Sequence, residues 1–205
     1  MKKIFFIISI LLFTINVNAY ENNIYKIEIP DKYKESAVEN NTMKWTKDND
    51  YIAISYSSNK KYKYNIKSFK EEDVQKQKEK IENKLNSELG KYNIKANVNN
   101  IQINNINDFY YLEYDVYYPT KDVIGYDIYQ KARMYTTNSY IITSIYNCEK
   151  EIKDEEYKKI IDTLEIKDNP IVSPRVSGKK VMILSAIIAG VLVVLNTLME
   201  KKRRK

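Results

Sequence analysis

FYYLEYDVYY, residues 109–118, carries the strongest strand signal in the chain, because it is rich in aromatic residues and contains no glycine or proline. After a connection from Pro119 to Gly125, the stretch YDIYQKARMYT, residues 126–136, alternates between apolar and polar residues. Two such runs joined by a connection that contains proline and glycine are typical of a hairpin. We therefore predict that they pair as antiparallel strands.

One face of this predicted hairpin carries the candidate binding residues. Pairing Tyr118 with Tyr126 sets the register, since successive side chains of a strand point to opposite faces. The face then combines tyrosines with charges of both signs: Glu113 opposite Lys131, Asp115 opposite Tyr129, and Tyr111 opposite Arg133.

Two interpretations of this face stay open at this point. Tyrosine and arginine are favoured in interfaces, which indicates a recognition surface. Complementary charges also stabilise an ordinary solvated sheet face. A helix laid over the face would cover these charges, so their pattern favours a domain of two layers.

The opposite face of the hairpin is the predicted core. It is apolar apart from Gln130, which interrupts the pattern. Its other members are Tyr110, Leu112, Tyr114, Val116, Ile128, Ala132 and Met134.

The remaining elements complete an α+β domain. Further strands are predicted at residues 25–29, 43–46, 51–56, 94–103 and 140–146. A long mid-chain helix follows a capping box of Ser68 and Glu71, ends near Gly90, and presents an apolar stripe of Val74, Ile81, Leu85 and Leu89. A closing helix at about 154–164 has a stripe of Tyr157, Ile160, Ile161 and Leu164. The spacing of the strands predicts an antiparallel sheet on which both helices pack.

Residues 23–167 resemble the PsbP-like α/β/α sandwich family. The likeness rests on YKIEIP at 25–30, on the mid-chain helix, and on the run from YIIT at 140–143 through DEEY at 154–157 to IIDTL at 160–164. It implies a terminal helix that closes the domain. Members range from photosystem accessory subunits to nuclear transport cofactors and bacterial exported proteins, so the resemblance implies no catalytic residues.

The N-terminus has the features of a secretory signal peptide. Lys2 and Lys3 precede an apolar run from Ile4 to Ile15, and the small-residue motif Val17-Asn18-Ala19 follows. The apolar run is shorter than the ~20 residues that span a bilayer. We expect residues 1–19 to be removed by cleavage after Ala19.

A second apolar run, Val181–Met199, is 19 residues long and carries no charge. It matches the thickness of a bilayer, and the basic tail at residues 200–205 predicts that the C-terminus stays in the cytoplasm. We therefore expect an extracytoplasmic domain at 20–167, a linker at 168–180 and a single membrane span at 181–199. A sortase signal is the alternative, although Ser173–Gly178 lacks the leading leucine and the Thr-Gly of that motif.

The composition of the domain limits which ligands and cofactors we expect it to bind. Of the net charge of +7, two positive charges lie in the signal peptide, three flank the span and four lie in the tail, which leaves −2 for residues 20–174. This balance argues against nucleic-acid binding. The chain has no histidine, one cysteine and no glycine-rich phosphate loop, so we expect no metal site and no cofactor. Its abundant lysine, asparagine, isoleucine and tyrosine have A/T-rich codons, which indicates a low-GC bacterial genome.

Three functions are compatible with this sequence. The first is a membrane-anchored surface module without enzymatic activity that binds a protein or a cell-envelope component. The second is a lipid or small-ligand carrier with a pocket between the mid-chain helix and the sheet. The third is a carboxylate-dependent enzyme, against which the predicted neighbour Lys131 argues, because it would keep Glu113 ionised. The oligomeric state and the pairing of Cys148, predicted to be a partly buried apolar residue, stay open.

Overall fold

A seven-stranded antiparallel sheet organises the part of the chain that the computed structural model describes, which is residues 17–38, 41–60, 64–150 and 154–171. The strands are β1 (Val17–Glu21), β2 (Tyr25–Pro30), β3 (Lys34–Val38), β4 (Thr42–Lys47), β5 (Asp50–Ser58), β6 (Asn97–Ile106), β7 (Phe109–Tyr118), β8 (Ile128–Thr136), β9 (Tyr140–Cys148) and β10 (Glu165–Ile166). The helices are α1 (Glu71–Leu89), α2 (Lys121–Ile124) and α3 (Asp154–Ile161).

The strand order of the large sheet is β3-β4-β5-β9-β8-β7-β6, so β3 and β6 form its two edges. A second sheet, of order β1-β2-β10, joins the N-terminal strands to the strand that follows α3. All of these pairings are antiparallel. The predicted α+β class and the antiparallel sheet are therefore confirmed for the described residues.

The domain has three layers rather than the two that the charge pattern favoured. On one side of the large sheet, the α1 stripe of Ile81, Leu85 and Leu89 packs against residues of β7 and β8 such as Leu112 and Met134. On the other side, α3 and the small sheet form a second core. Its members include Tyr25, Ile27, Ile29, Trp45, Ile52, Ile54, Tyr135, Ile142, Tyr146 and Tyr157.

The second layer covers the hairpin face that was expected to lie in water. Tyr111 and Glu113 are 8% exposed and Arg133 is 5% exposed. The face can be buried because its charges are neutralised in pairs, and because the apolar stripe of α3 must itself be covered.

The predicted register of the hairpin is wrong by two residues. Tyr118 pairs with Ile128 rather than with Tyr126, so Glu113 faces Arg133, Asp115 faces Lys131, and Tyr111 faces Tyr135. The cause is the short helix α2, which occupies part of the connection and is followed by Gly125 with a φ of 90°. A shift of two residues preserves the faces, so the same side chains stay together.

The polar misfit of the predicted core has a partner. Gln130 is 3% exposed, and its side-chain oxygen accepts a hydrogen bond of 2.9 Å from the Tyr118 hydroxyl. A buried polar group without a hydrogen-bond partner destabilises the fold. Because these two groups bond to each other, neither is left without a partner.

The ends of α1 differ from the capping prediction. Lys70, not Ser68, is the N-cap residue, and the carboxylate of Asp73 accepts a hydrogen bond of 3.0 Å from the Lys70 amide. Ser68 lies in a preceding 3-10 turn, Ile66–Ser68. At the other end, Gly90 keeps a right-handed conformation, and Asn93 takes the left-handed position at the end of the 3-10 turn Gly90–Tyr92.

The N-terminal strand contains the motif that was predicted to precede the cleavage site. Because β1 begins at Val17, cleavage after Ala19 would leave only Tyr20 and Glu21 of this strand on the mature protein. The rest of the predicted signal peptide, residues 1–16, lies outside the described residues, as do the predicted span at 181–199 and the tail at 200–205. None of the helices in the described part of the chain is long and apolar enough to cross a membrane.

The segment after β10 is held to the turn between β8 and β9. The Asp168 carboxylate accepts hydrogen bonds from the Thr137 hydroxyl at 2.5 Å and from the Ser139 amide at 2.6 Å. Thr137 and Pro170 also form an isolated β-bridge. The chain therefore leaves the described domain beside this turn.

The Asp168 contacts predict a pH-dependent stability. Burial alone would raise the pKa of Asp168, but its bonds to Thr137 and Ser139 outweigh burial and lower it. A lowered pKa in the folded state means that the stabilisation is complete above the pKa of the unfolded chain and is lost as pH falls through the folded value.

We expect Asp168→Asn to cost about 1 kcal/mol near neutral pH. The difference from the wild-type protein should shrink as pH falls below about 4. Denaturant unfolding between pH 7 and pH 2 measures this difference. The matched control is Asp122→Asn at an exposed position of α2. A difference for Asp168→Asn that stays constant to pH 2 would contradict the assignment.

Candidate functional site

A buried arginine links the central sheet to the layer above it. Arg133 on β8 donates a hydrogen bond to the Glu113 carboxylate at 2.5 Å, and a second one to the Asp162 carboxylate at 2.8 Å. Its guanidinium also lies 4.9 Å from the ring centre of Tyr111 and 5.3 Å from that of Tyr157. One side chain therefore connects β7, β8 and the segment around α3.

The protonation states around Arg133 follow from these contacts. Burial favours a lower pKa for Arg133, but Tyr157, Tyr135 and its bonds to Asp162 and Glu113 raise the pKa above the ordinary value. Burial also raises the pKa of Tyr135 to about 12. The group therefore contains a permanent cation, two carboxylates that are hydrogen-bonded to it, and tyrosines with raised pKa values.

A second ion pair lies beside the first. The Lys131 ammonium is 3.6 Å from the Asp115 carboxylate, whose other oxygen accepts a hydrogen bond of 2.7 Å from the Asn100 side chain. The Lys131 side chain is 13% exposed and that of Asp115 is 25% exposed. These charges lie closer to solvent than the Arg133 pair.

Four of the six predicted binding residues line one open cleft of about 610 Å³. These four are Tyr111, Glu113, Lys131 and Arg133, and the cleft wall also includes Tyr157 and Asp162. Asp115 is not part of the lining, but it forms an ion pair with Lys131, which is. Tyr129 is not part of the lining, and its ring contacts that of Tyr117 in a tilted arrangement with the ring centres 5.3 Å apart.

A neighbouring cleft of about 520 Å³ shares Ile106 and Asp162 with the first one. We refer to the two together as the β6 groove. Its walls are the C-terminal part of β6 on one side and the end of α3 with the following segment on the other. The second cleft is lined by Glu28, Ile106, Asn107, Phe109, Tyr135, Asp162, Thr163, Leu164, Glu165 and Ile166.

The groove residues that sequence reasoning missed come from elements distant in the chain. Tyr157 was predicted only as a core residue of the closing helix, and it is 3% exposed. Asp162 follows α3 directly, and Ile106 ends β6. The apolar stripe of α3 predicts that the helix packs on the sheet, but no local pattern places its end beside β6.

A third cleft, of about 300 Å³, lies near Cys148. The thiol is buried, more fully than the partly buried residue that was predicted. Burial raises the pKa of Cys148 to about 12. A thiol of this kind is protonated at neutral pH, which argues against a nucleophilic role.

Metal binding has no support in the described residues, since no group of three or more histidine, cysteine, aspartate or glutamate side chains comes together there. In the β6 groove the carboxylates of Glu113 and Asp162 are bonded to Arg133. The arrangement offers aromatic surface, hydrogen-bonding groups and balanced charge to a ligand.

The described residues form a PsbP-like fold. A solved structure with this fold is the solution structure of cyanobacterial PsbP (CyanoP) from Synechocystis sp. PCC 6803, which is similar with a TM-score of 0.50 and 9% identity over 76% of this chain and 95% of that one. A crystal structure of a protein from Bacteroides thetaiotaomicron VPI-5482 is similar with a TM-score of 0.45 and 12% identity. That match spans 69% of this chain and less than half of the other, 44%. No protein-family model matches the sequence, and no curated protein matches it.

Proposed function

We propose that this chain is a binding module without enzymatic activity, held outside the cytoplasm by its C-terminal apolar segment, and that it binds a protein or a cell-envelope component in the β6 groove. The observation that carries the proposal is the groove itself, where tyrosines, an arginine and an edge strand meet. Aromatic residues and arginine are enriched at protein interfaces. The signal-peptide pattern and the apolar run at 181–199 support the location.

The state of the groove carboxylates supports binding rather than catalysis. A carboxyl group that acts as a general acid or base must be within hydrogen-bond reach of the substrate. Glu113 and Asp162 instead hold the guanidinium of Arg133 between them. Both carboxylates are thereby engaged as hydrogen-bond acceptors of the buried guanidinium.

Site-specific photo-crosslinking in intact cells tests the proposal. A benzophenone amino acid replaces Asn105, which is exposed and lines the groove. The matched control is Asn97, an exposed asparagine at the other end of the same strand. We expect a discrete ultraviolet-dependent adduct from position 105 and none from position 97. Adducts of equal yield at both positions, or none at either, would overturn the proposal.

A further inference from the structure

The two edges of the large sheet differ in their protection. β3 is five residues long and carries Lys34 and Glu35. β6 is ten residues long, and its sequence NVNNIQINNI contains neither a charged residue nor proline. Natural proteins usually protect edge strands with charge, proline or shortness, because an open edge pairs with other chains.

The open part of β6 is its C-terminal half. Near its start, the amides of Ala96 and Val98 donate to the side chains of Asn86 and Glu82 of α1, at 2.8 Å each. A bulge between Asn99 and Gln102 then interrupts the pairing with β7. Beyond the bulge, no hydrogen bond from the described residues outside the β6–β7 pair reaches the backbone of 102–106.

The second cleft of the groove, at the end of this open segment, has a distinct chemistry. Its apolar wall is formed by Ile106, Phe109, Leu164 and Ile166, among others. Its charged lining residues are all acidic: Glu28, Asp162 and Glu165. Glu28 is exposed, and among the described residues the ion-pair contact of the exposed Glu165 is a long one, with Lys26 at 3.8 Å. Such a contact in water contributes little.

We propose that an extended segment of a partner protein pairs with residues 102–106 of β6 as an additional strand, and that the face it presents to the groove carries apolar side chains and lysine or arginine in turn. Backbone hydrogen bonds along the edge provide affinity, and the groove accepts alternate side chains, as in other cases of strand addition. On that face the apolar side chains contact the Phe109 and Leu164 wall, and the basic side chains face Glu28 and Glu165. The side chains between them point to the opposite face of the sheet. This inference rests on the proposed function, because it names the partner chemistry of the same groove.

A second copy of this chain fits the edge less well. Two β6 strands could pair with each other, but residues 97–106 carry no basic side chain. The acidic lining of the second cleft would then remain unmatched. Charge complementarity therefore favours a basic partner segment over self-association.

The test uses the full-length chain in detergent and a fluorescein-labelled peptide, acetyl-KTITKTITK-amide, whose lysines and isoleucines share one strand face, measured by fluorescence anisotropy. We expect saturable binding, and none for the acidic counterpart acetyl-ETITETITE-amide. Methylating alternate backbone nitrogens of the basic peptide, on the edge that faces β6, should weaken binding at least tenfold, because it removes the strand hydrogen bonds and keeps the side chains. Hydrogen exchange should show protection at residues 102–106 when the peptide is bound.

Charge reversal in the second cleft provides the protein-side test. Glu28→Lys with Glu165→Lys should weaken peptide binding at least tenfold, and the double glutamine variant should give a smaller loss. The matched control is Glu71→Lys with Glu79→Lys on the exposed face of α1, which should leave binding unchanged. The fluorescence of Trp45 reports whether each variant is folded.

Three outcomes would overturn the inference. They are equal binding of the basic and acidic peptides, equal binding of the methylated and unmethylated peptides, and concentration-dependent dimers that protect residues 102–106 without peptide. In each case the crosslinking at position 105 still decides whether the groove binds a partner. The failure of strand addition is therefore distinguishable from the failure of the proposed function.

Discussion

Replacing Arg133 by methionine is expected to lower the free energy of unfolding by about 3–5 kcal/mol. The substitution keeps an unbranched chain of similar length but leaves the Glu113 carboxylate, 8% exposed, without its cation. An uncompensated charge in a buried position is among the most costly defects in a folded protein. Asp162, whose side chain is 36% exposed, is solvated and adds less to the loss.

Denaturant unfolding of the purified chain measures this effect. Trp45 is the only tryptophan and is 3% exposed, so its fluorescence reports on the buried layer beneath the small sheet. A second substitution, Glu113→Gln, made together with Arg133→Met, should recover a large part of the loss because it removes the unpaired charge.

Lys131→Met provides the comparison, because its ion pair lies nearer to solvent and should cost about 1 kcal/mol. An Arg133→Met variant that is no less stable than Lys131→Met would show that the Arg133 network does not hold the layers together.

Residues 109–118 show what local pattern can predict. The bounds of β7 are those expected from the sequence, and its apolar face lies in the α1 core. The prediction succeeds because a strand with one face in each of two layers keeps a strict period of two. The helix stripe of Ile81, Leu85 and Leu89 was predicted for the equivalent reason, with a period near 3.6.

The register of the hairpin could not be predicted from the local sequence pattern. The connection between β7 and β8 contains α2, a helix of four residues that is too short for an apolar stripe to reveal. The strands β3 and β10 were missed for a similar reason, since they have five and two residues. Their formation depends on the neighbours β4 and β2, with which they pair.

The candidate site was predicted only in part, because it is assembled from residues far apart in the chain. The hairpin side chains Tyr111, Glu113, Lys131 and Arg133 were identified by their shared face, and they do lie together. Their burial was missed, because the charges of Glu113 and Arg133 suggested a solvated surface. The missing information is the Asp162 contact, which joins residues 29 positions apart.

The position of α3 over this face leads to the second large effect. Tyr157 is 3% exposed, and its ring lies 6.0 Å from that of Tyr146 on β9 and 5.3 Å from the Arg133 guanidinium. We expect Tyr157→Ala to cost about 3–5 kcal/mol, because it opens a cavity between α3 and the sheet. It also removes an aromatic surface that supports Arg133 in the ion-pair network.

Unfolding by denaturant measures the loss, and hydrogen exchange of the α3 amides shows where it arises. The matched control is Tyr92→Ala, a partly buried tyrosine at the end of α1 in the opposite layer, which should cost less than half as much. Because Tyr157 also lines the groove, faster exchange at 157–161 should be accompanied by a lower yield of crosslinking from position 105. Equal losses for the two variants, with α3 exchange unchanged, would mean that the helix is held by contacts other than this tyrosine. The groove would then not depend on it.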